Sequence, residues 1–442
     1  MSTLIELLKK SKKLDGFKVN TNLIETSELF FVHKKLETVR HTKTSNVKAT
    51  VYVNHDDFFG QADFTVYASN TEDEIKAKIE MGYQNALLVN NKPFTLPSGE
   101  VKEFKSDSNF NNYSLNELAS LISEAVFKTD NYLDGGINAL EIFVTKKTVI
   151  VENSTGLKKT QVLYDTMIEA IPTWNGNDES VELYEQYHVG YLNPEEITKE
   201  IKNKMEEVHA RFEAKKPDSK LKGNIILRPH EISEILDTII TNANYGYIYT
   251  HQNLYNVGDK IQNSDSCDKL NIKILGNLKG SVSSSFFDID GIDLESQDII
   301  KDGVIVNGYG SNKVCQYMNK PVTGMLPCTE LLEGSFSKKE LYKEPYLECV
   351  SLSGIQLDQY NDYIGGEIRL GYYFDGNKVL ASGDTLFCGS VGRTDFKGGS
   401  MSELVRSVKE KLFLLPNDTA VLPGHEARTT IGYEKQYNMY LA

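Results

Sequence analysis

The run NVKATVYVN at 46–54 alternates apolar and polar residues, as a half-buried strand requires, and ADFTVYAS at 62–69 continues in the same style. A helix is expected next. Asn70-Thr71 opens it, its first turn is acidic (Glu72, Asp73, Glu74), and Ile75, Ile79, Tyr83 and Ala86 fall along one face. Residues 4–10 predict a short helix ahead of this unit. Residues 91–112, rich in Asn, Pro, Ser and Gly, read as loop. Ser114 and Glu117 have the spacing of a capping box, and the helix behind them would bury Leu118, Leu121, Ile122 and Ala125. LEIFVTKKTVIVENSTG at 140–156 predicts a hairpin turning at Thr145-Lys146-Lys147, with more strand at 160–171 and 181–191. Pro194-Glu195-Glu196 starts a long amphipathic helix with Ile197, Ile201, Met205, Val208 and Phe212 on its inner face.

AKKPDSKLKG at 214–223 is the best linker candidate. NIILRPHEISEILDTIITN then predicts a buried strand and a helix beginning at Pro229. From about 270 to 375 the pattern is mostly β, with Asp-Gly pairs at hairpin turns. These elements make an α+β fold. We expect a small N-terminal α+β domain at 1–112 and a mixed middle domain at 113–222. A β-rich C-terminal domain with mainly antiparallel sheet should occupy 223–380, followed by an atypical tail at 381–442.

Charge narrows the functions. Asp and Glu number 62 against 48 Lys and Arg, a formal net charge of −14, which disfavours direct contact with nucleic acid. No stretch approaches the roughly 18 to 20 apolar residues of a membrane span. MSTLIELLKKSKKLDG lacks the order of a secretory signal, and five scattered cysteines without a CxxC suit reduced thiols, so a cytoplasmic location is expected.

Candidate metal chemistry is sparse. The eight histidines are His33, His41, His55, His188, His209, His230, His251 and His425, and no two stand two apart. His230-Glu231 opens a helix, but Ile235, five positions beyond His230, cannot ligate, so His230 reads as a first-turn surface residue. Cys315 and Cys328 have no neighbouring His and read as buried, inert thiols. Asp288, Asp290 and Gly291 suit a turn better than a site.

SSSFFDIDGIDLESQDIIKDGVIVNGYGSNKVCQYMNKPVTGM at 283–325, with YIGGEIRLGYYFDGNKV at 363–379, resembles the TldD/PmbA family, formerly described as modulators of DNA gyrase. The resemblance covers roughly residues 20–379. It implies a cytoplasmic peptidase system in which a metal-bearing and a metal-free subunit enclose a cavity for unfolded peptides. In the metal-bearing subunit the helix after the strand at 224–228 carries His-Glu-x-x-x-His. Here Asp237, Thr238 and Asn242 occupy those places, which implies the metal-free, PmbA/TldE-like type.

SGDTLFCGSVGRTDFKGGS and VLPGHEARTTIGYEKQYN, within 382–438, resemble the C-terminal half of a metallo-β-lactamase-fold hydrolase of the glyoxalase II kind. That resemblance implies metal ligation by Asp384 and His425. The His-x-His-x-Asp-His motif that completes such a site does not occur in the chain, and two side chains do not hold a catalytic metal. We therefore expect no catalytic, cofactor-binding or metal-ligating residue in this chain. A fusion join is expected near 376–382, with the helix at about 401–414 either packing on the β-rich domain or hanging loose. A tightly packed tail would count against the join.

The leading expectation is a metal-free subunit that pairs with a TldD-like chain, which would carry zinc or another divalent metal, in a homo- or hetero-oligomer acting on unfolded peptides. On that view the chain belongs to a metallopeptidase family without being competent alone. One alternative is a metal hydrolase built on the tail. Another is a non-catalytic protein binding gyrase or toxin–antitoxin partners.

Overall fold

The computed structural model describes residues 2–177, 179–214, 224–262, 267–343, 346–349, 356–358, 363–365, 372–374, 379–383, 385–394, 401–423 and 427–441. The chain is α+β with mainly antiparallel sheet, part of it curled into a half-barrel. It forms two compact units, Met1–Ser219 with Ala243–Gly334, and Lys220–Asn242 with Ser335–Ala442.

The first unit is built on long strands: β1 (Gly16–Val32), β2 (Lys35–His55), β3 (Phe58–Val66), β4 (Val101–Phe104), β5 (Gly135–Asn153) and β6 (Lys158–Asn175). They lie in the order β3-β2-β1-β5-β6-β4, and β7 (Ser180–Glu182) and β8 (Glu185–Val189) also pair with β6. Helices cover one face. Leu4 and Leu8 of α1 (Ser2–Lys10) and Ile75 and Ile79 of α2 (Glu72–Ala86) pack on Phe17, Val19, Ala49, Val51 and Val66. Leu118, Ile122 and Val126 of α3 (Leu115–Phe127) and Ile197, Ile201, Met205 and Val208 of α4 (Pro194–Phe212) pack on Leu29, Leu140, Ile142, Val144, Ile168 and Ala170. The expected capping box of Ser114 with Glu117 forms, and Thr71 makes a second one with Glu74.

Three expectations are corrected. Thr145-Lys146-Lys147 is no turn: β5 runs straight through it, paired with β1 and β6 on either side. None of those residues favours a left-handed backbone, and the turn comes instead at Gly156, at φ +92°. The loop at 91–112 contains β4. Residues 16–45, which the pattern left unassigned, carry all of β1 and half of β2, because their mixed polar composition hides the period.

The rest of the first unit holds a four-stranded antiparallel sheet. Val304–Ile305, Gln297–Lys301, Ile272–Leu275 and Cys328–Leu331 lie side by side in that order. The expected Asp302-Gly303 turn links two of them, with φ of 50° and 73°.

In the second unit, Asn224–Leu227 pairs in parallel with Tyr346–Cys349 and leads into the helix Pro229–Thr241. The expected buried strand is corrected here: Ile225 is 71% exposed. Val379–Gly383 pairs antiparallel with Tyr372–Phe374 and in parallel with Ala420–Pro423. The helix Met401–Lys411 makes the crossover that a parallel pair needs. Its Val408, with Leu404 and Val405, packs against Leu380, Leu386, Val391, Val421, Ile431 and Leu441. Of the two alternatives, the helix does not hang loose: it packs on Leu380, at the end of the expected β-rich domain, and on apolar residues of the tail itself.

Candidate functional site

The helix Pro229–Thr241 occupies the place where the family resemblance puts a metal motif. Pro229 starts it with a ring that needs no hydrogen bond there. Asp237 is exposed and Thr238 half-buried. Asn242 is 4% exposed, and its Nδ2 donates to the Thr238 carbonyl at 3.0 Å. The Thr241 hydroxyl donates to the Asp237 carbonyl at 2.9 Å. An amide and a hydroxyl are not zinc ligands, and one exposed carboxylate cannot hold the ion alone. The side chains of His230 and Glu231 lie outside the described residues, as do Asp384 and His425. Among the described residues, no group of three or more His, Cys, Asp or Glu side chains could hold a metal ion.

Five of the other described histidines have local roles. His33 and His251 sit at positive φ in turns. His55 Nε2 lies 3.1 Å from the Val89 carbonyl, His188 Nδ1 lies 2.9 Å from Asp165 Oδ1, and His209 stacks on Trp174 with ring centroids 3.9 Å apart. Cys315 and Cys328 are buried. Burial pushes the Cys315 thiol up, away from nucleophilic reactivity, and its Sγ donates to the Gly310 carbonyl at 3.3 Å.

The Asp288–Asp290–Gly291 loop is bound into the first unit on every side. Asp288 Oδ1 accepts from the backbone N–H of Asp290 at 2.9 Å and of Ile292 at 3.0 Å, while Oδ2 accepts from Met325 N–H at 3.3 Å. Burial, followed by the charge of Asp290, pushes the Asp288 carboxyl up against those three donors. Lys18 of β1 pairs with Asp290. Lys159 of β6 donates to the Gly291 carbonyl at 2.9 Å and to Asp293 Oδ1 at 2.8 Å, and Lys102 of β4 reaches Asp293 Oδ2 at 3.2 Å. Gln161 Oε1 accepts from Phe286 N–H at 2.8 Å. Gly291, at φ +82°, would place a Cβ 2.8 Å from Leu157 Cδ2, so both conformation and space demand glycine. The loop is a structural clamp. Sequence reading found its acids but missed Lys18, Lys102, Lys159 and Gln161, which lie far away in the chain on strands with no motif.

The comparisons with known proteins fit this geometry. Residues 221–371 match the family model described as PmbA/TldA metallopeptidase C-terminal domain. The fold is that of TldE from Thermococcus kodakarensis, at TM-score 0.61 and 13% identity over 81% of this chain and 83% of that one. A protein from Thermotoga maritima described as a modulator of a DNA gyrase aligns at TM-score 0.59 and 16% identity, over 77% of this chain and 78% of that one. A segment is also 42% identical over 73 residues to the hydroxyacylglutathione hydrolase GloC of Haemophilus influenzae, 16% of this chain and 34% of that protein. An uncharacterized Mycobacterium bovis protein is 34% identical over 137 residues, and the chain spans 59% of its length. Residues 221–371 thus carry a domain of the PmbA/TldA metallopeptidase kind, the fold is shared with TldE, and a separate segment is similar to metallo-hydrolases.

Proposed function

We propose that this chain is the metal-free companion subunit of a TldD/PmbA-type peptidase, working in the cytoplasm beside a TldD-like chain that carries the zinc or other divalent metal. The observation that carries this reading is the helix Pro229–Thr241. Where the metal-bearing subunit has two imidazoles and a carboxylate, this helix offers Asp237, Thr238 and Asn242, and the Asn242 amide donates back into its own helix. The likeness of fold to TldE supports the same assignment. The companion's part is to wall the space in which an unfolded peptide lies and to present that peptide to the partner's metal.

The test is reconstitution. Purified alone, the chain should carry no stoichiometric zinc by atomic emission and cleave no unfolded casein. Mixed with a TldD-like chain it should co-elute in gel filtration and raise that chain's peptidase rate. Stoichiometric zinc together with peptidase activity in the isolated chain would overturn the proposal.

A further inference from the structure

The long sheet has a second face that the helices leave open. Residues directly opposite one another on neighbouring strands share a face. The registers Phe30↔Glu141, Glu28↔Phe143, Glu141↔Glu169 and Phe143↔Met167 put these six residues on one side, opposite Leu29, Ile142 and Ile168 of the helix-covered core. Arg40 lies opposite Glu28 and pairs with it. Phe30 and Phe143 meet edge to face, with centroids 5.5 Å apart.

Glu141 and Glu169 are the unusual members. They face each other directly across β5 and β6, where side chains of like charge repel. Among the described residues neither forms an ion pair, and the one side-chain partner is the Tyr184 hydroxyl, which hydrogen-bonds Glu169. Arg40 offsets the Glu141 charge in part, but it pairs with Glu28 and its guanidinium lies over the Phe30 ring, 5.6 Å from the centroid. Burial, then the facing Glu169, pushes the Glu141 carboxyl up. A sheet under selection for stability alone would put an opposite charge or an apolar pair here.

We propose that this face docks an extended peptide through a lysine or arginine side chain lodged between Glu141 and Glu169, its aliphatic stem lying against Phe143. The inference rests on the companion-subunit reading and adds to it a preference for basic peptides. Charge complementarity fixes the occupant. An ammonium or guanidinium supplies the missing counter-charge, and Phe143 offers a surface for the methylene stem. An acidic segment would add a third carboxylate to the pair.

The experiment is fluorescence anisotropy with the isolated full chain and two fluorescein-labelled, otherwise identical unstructured peptides, one with lysines and one with glutamates. The lysine peptide should bind at least tenfold more tightly at 50 mM NaCl and lose that advantage at 500 mM. Glu141→Gln with Glu169→Gln should weaken the lysine peptide about tenfold, leave the glutamate peptide unchanged and raise the Tm of the chain, since glutamine keeps the shape and removes the repulsion. Equal binding of the two peptides, or no effect of the double variant, overturns the inference. So does a calcium or magnesium titration showing that a divalent ion, and not the peptide, occupies the pair. If the lysine peptide binds but the chain never stimulates a TldD-like partner, the docking face stands and the companion-subunit proposal falls.

Discussion

Two acidic places in the first unit differ in how their charge is used. At Asp288, Asp290 and Asp293 every carboxylate has partners: backbone N–H groups for the first, Lys18 for the second, Lys159 and Lys102 for the third. At Glu141 and Glu169 two carboxylates face each other without an ion-pairing cation among the described residues. The first group stands out in the sequence as a compact Asp-x-Asp-Gly, and it is architecture. The second is scattered across two strands and has no motif, yet it is the one whose two facing carboxylates have no ion-pairing cation among the described residues. Acid content does not mark a site; unmatched charge does.

The comparison can be broken by substitution. Asp288→Ala should have the largest effect, about 3 kcal/mol of lost stability, because three part-buried N–H groups lose their acceptor at once. Urea denaturation would check it, and a loss under about 1 kcal/mol would show that the clamp is not structural. Lys159→Met should cost about 2 kcal/mol, since it strips a cation from Asp293 and a donor from the Gly291 carbonyl. Ser114→Ala removes a helix cap and should cost about 1 kcal/mol, a reference value unrelated to either acidic place. Glu141→Gln should move the other way, stabilising by about 0.5 kcal/mol at pH 7.

The pH dependence sharpens the same contrast. Glu141 holds its proton more tightly in the folded chain than an ordinary glutamate does, so its charge disfavours folding at neutral pH. As pH falls through its raised value the folded state takes up the proton first, and stability rises. Glu141→Gln should flatten that rise in Tm as pH falls from 7 to the ordinary glutamate value. Asp293 has the opposite sign. Burial opposes its charge, but the lysine hydrogen bonds win and hold it below the usual carboxylate range. Its contribution is complete above the ordinary aspartate pKa and is lost as pH falls through the depressed value. Lys159→Met should therefore remove a loss of stability seen below about pH 4.

The helices were legible in the sequence and the long sheet only in part. Thr71 with Glu74, Ser114 with Glu117, and the apolar spacing from Ile197 to Val208 are local signals, and local signals survive into the fold. β1 is different. Its residues alternate between the helix-covered core and the other face, but that face carries Lys18, Asn20, Asn22 and Glu28 beside Ile24 and Phe30, so no simple binary pattern emerges. The lysines that clamp the Asp288 loop were invisible for a related reason. Their partners lie more than a hundred residues away, and a solitary lysine on a strand normally reads as a solvated face.

Val379–Gly383 has a neighbouring strand on each side, Tyr372–Phe374 before it and Ala420–Pro423 far after it. That shared strand sets where the polypeptide can be shortened. Stopping translation after residue 383 would leave one side of it with dangling amide and carbonyl groups, ready to recruit the same strand from another molecule. Such a truncation should come out of cells as aggregate.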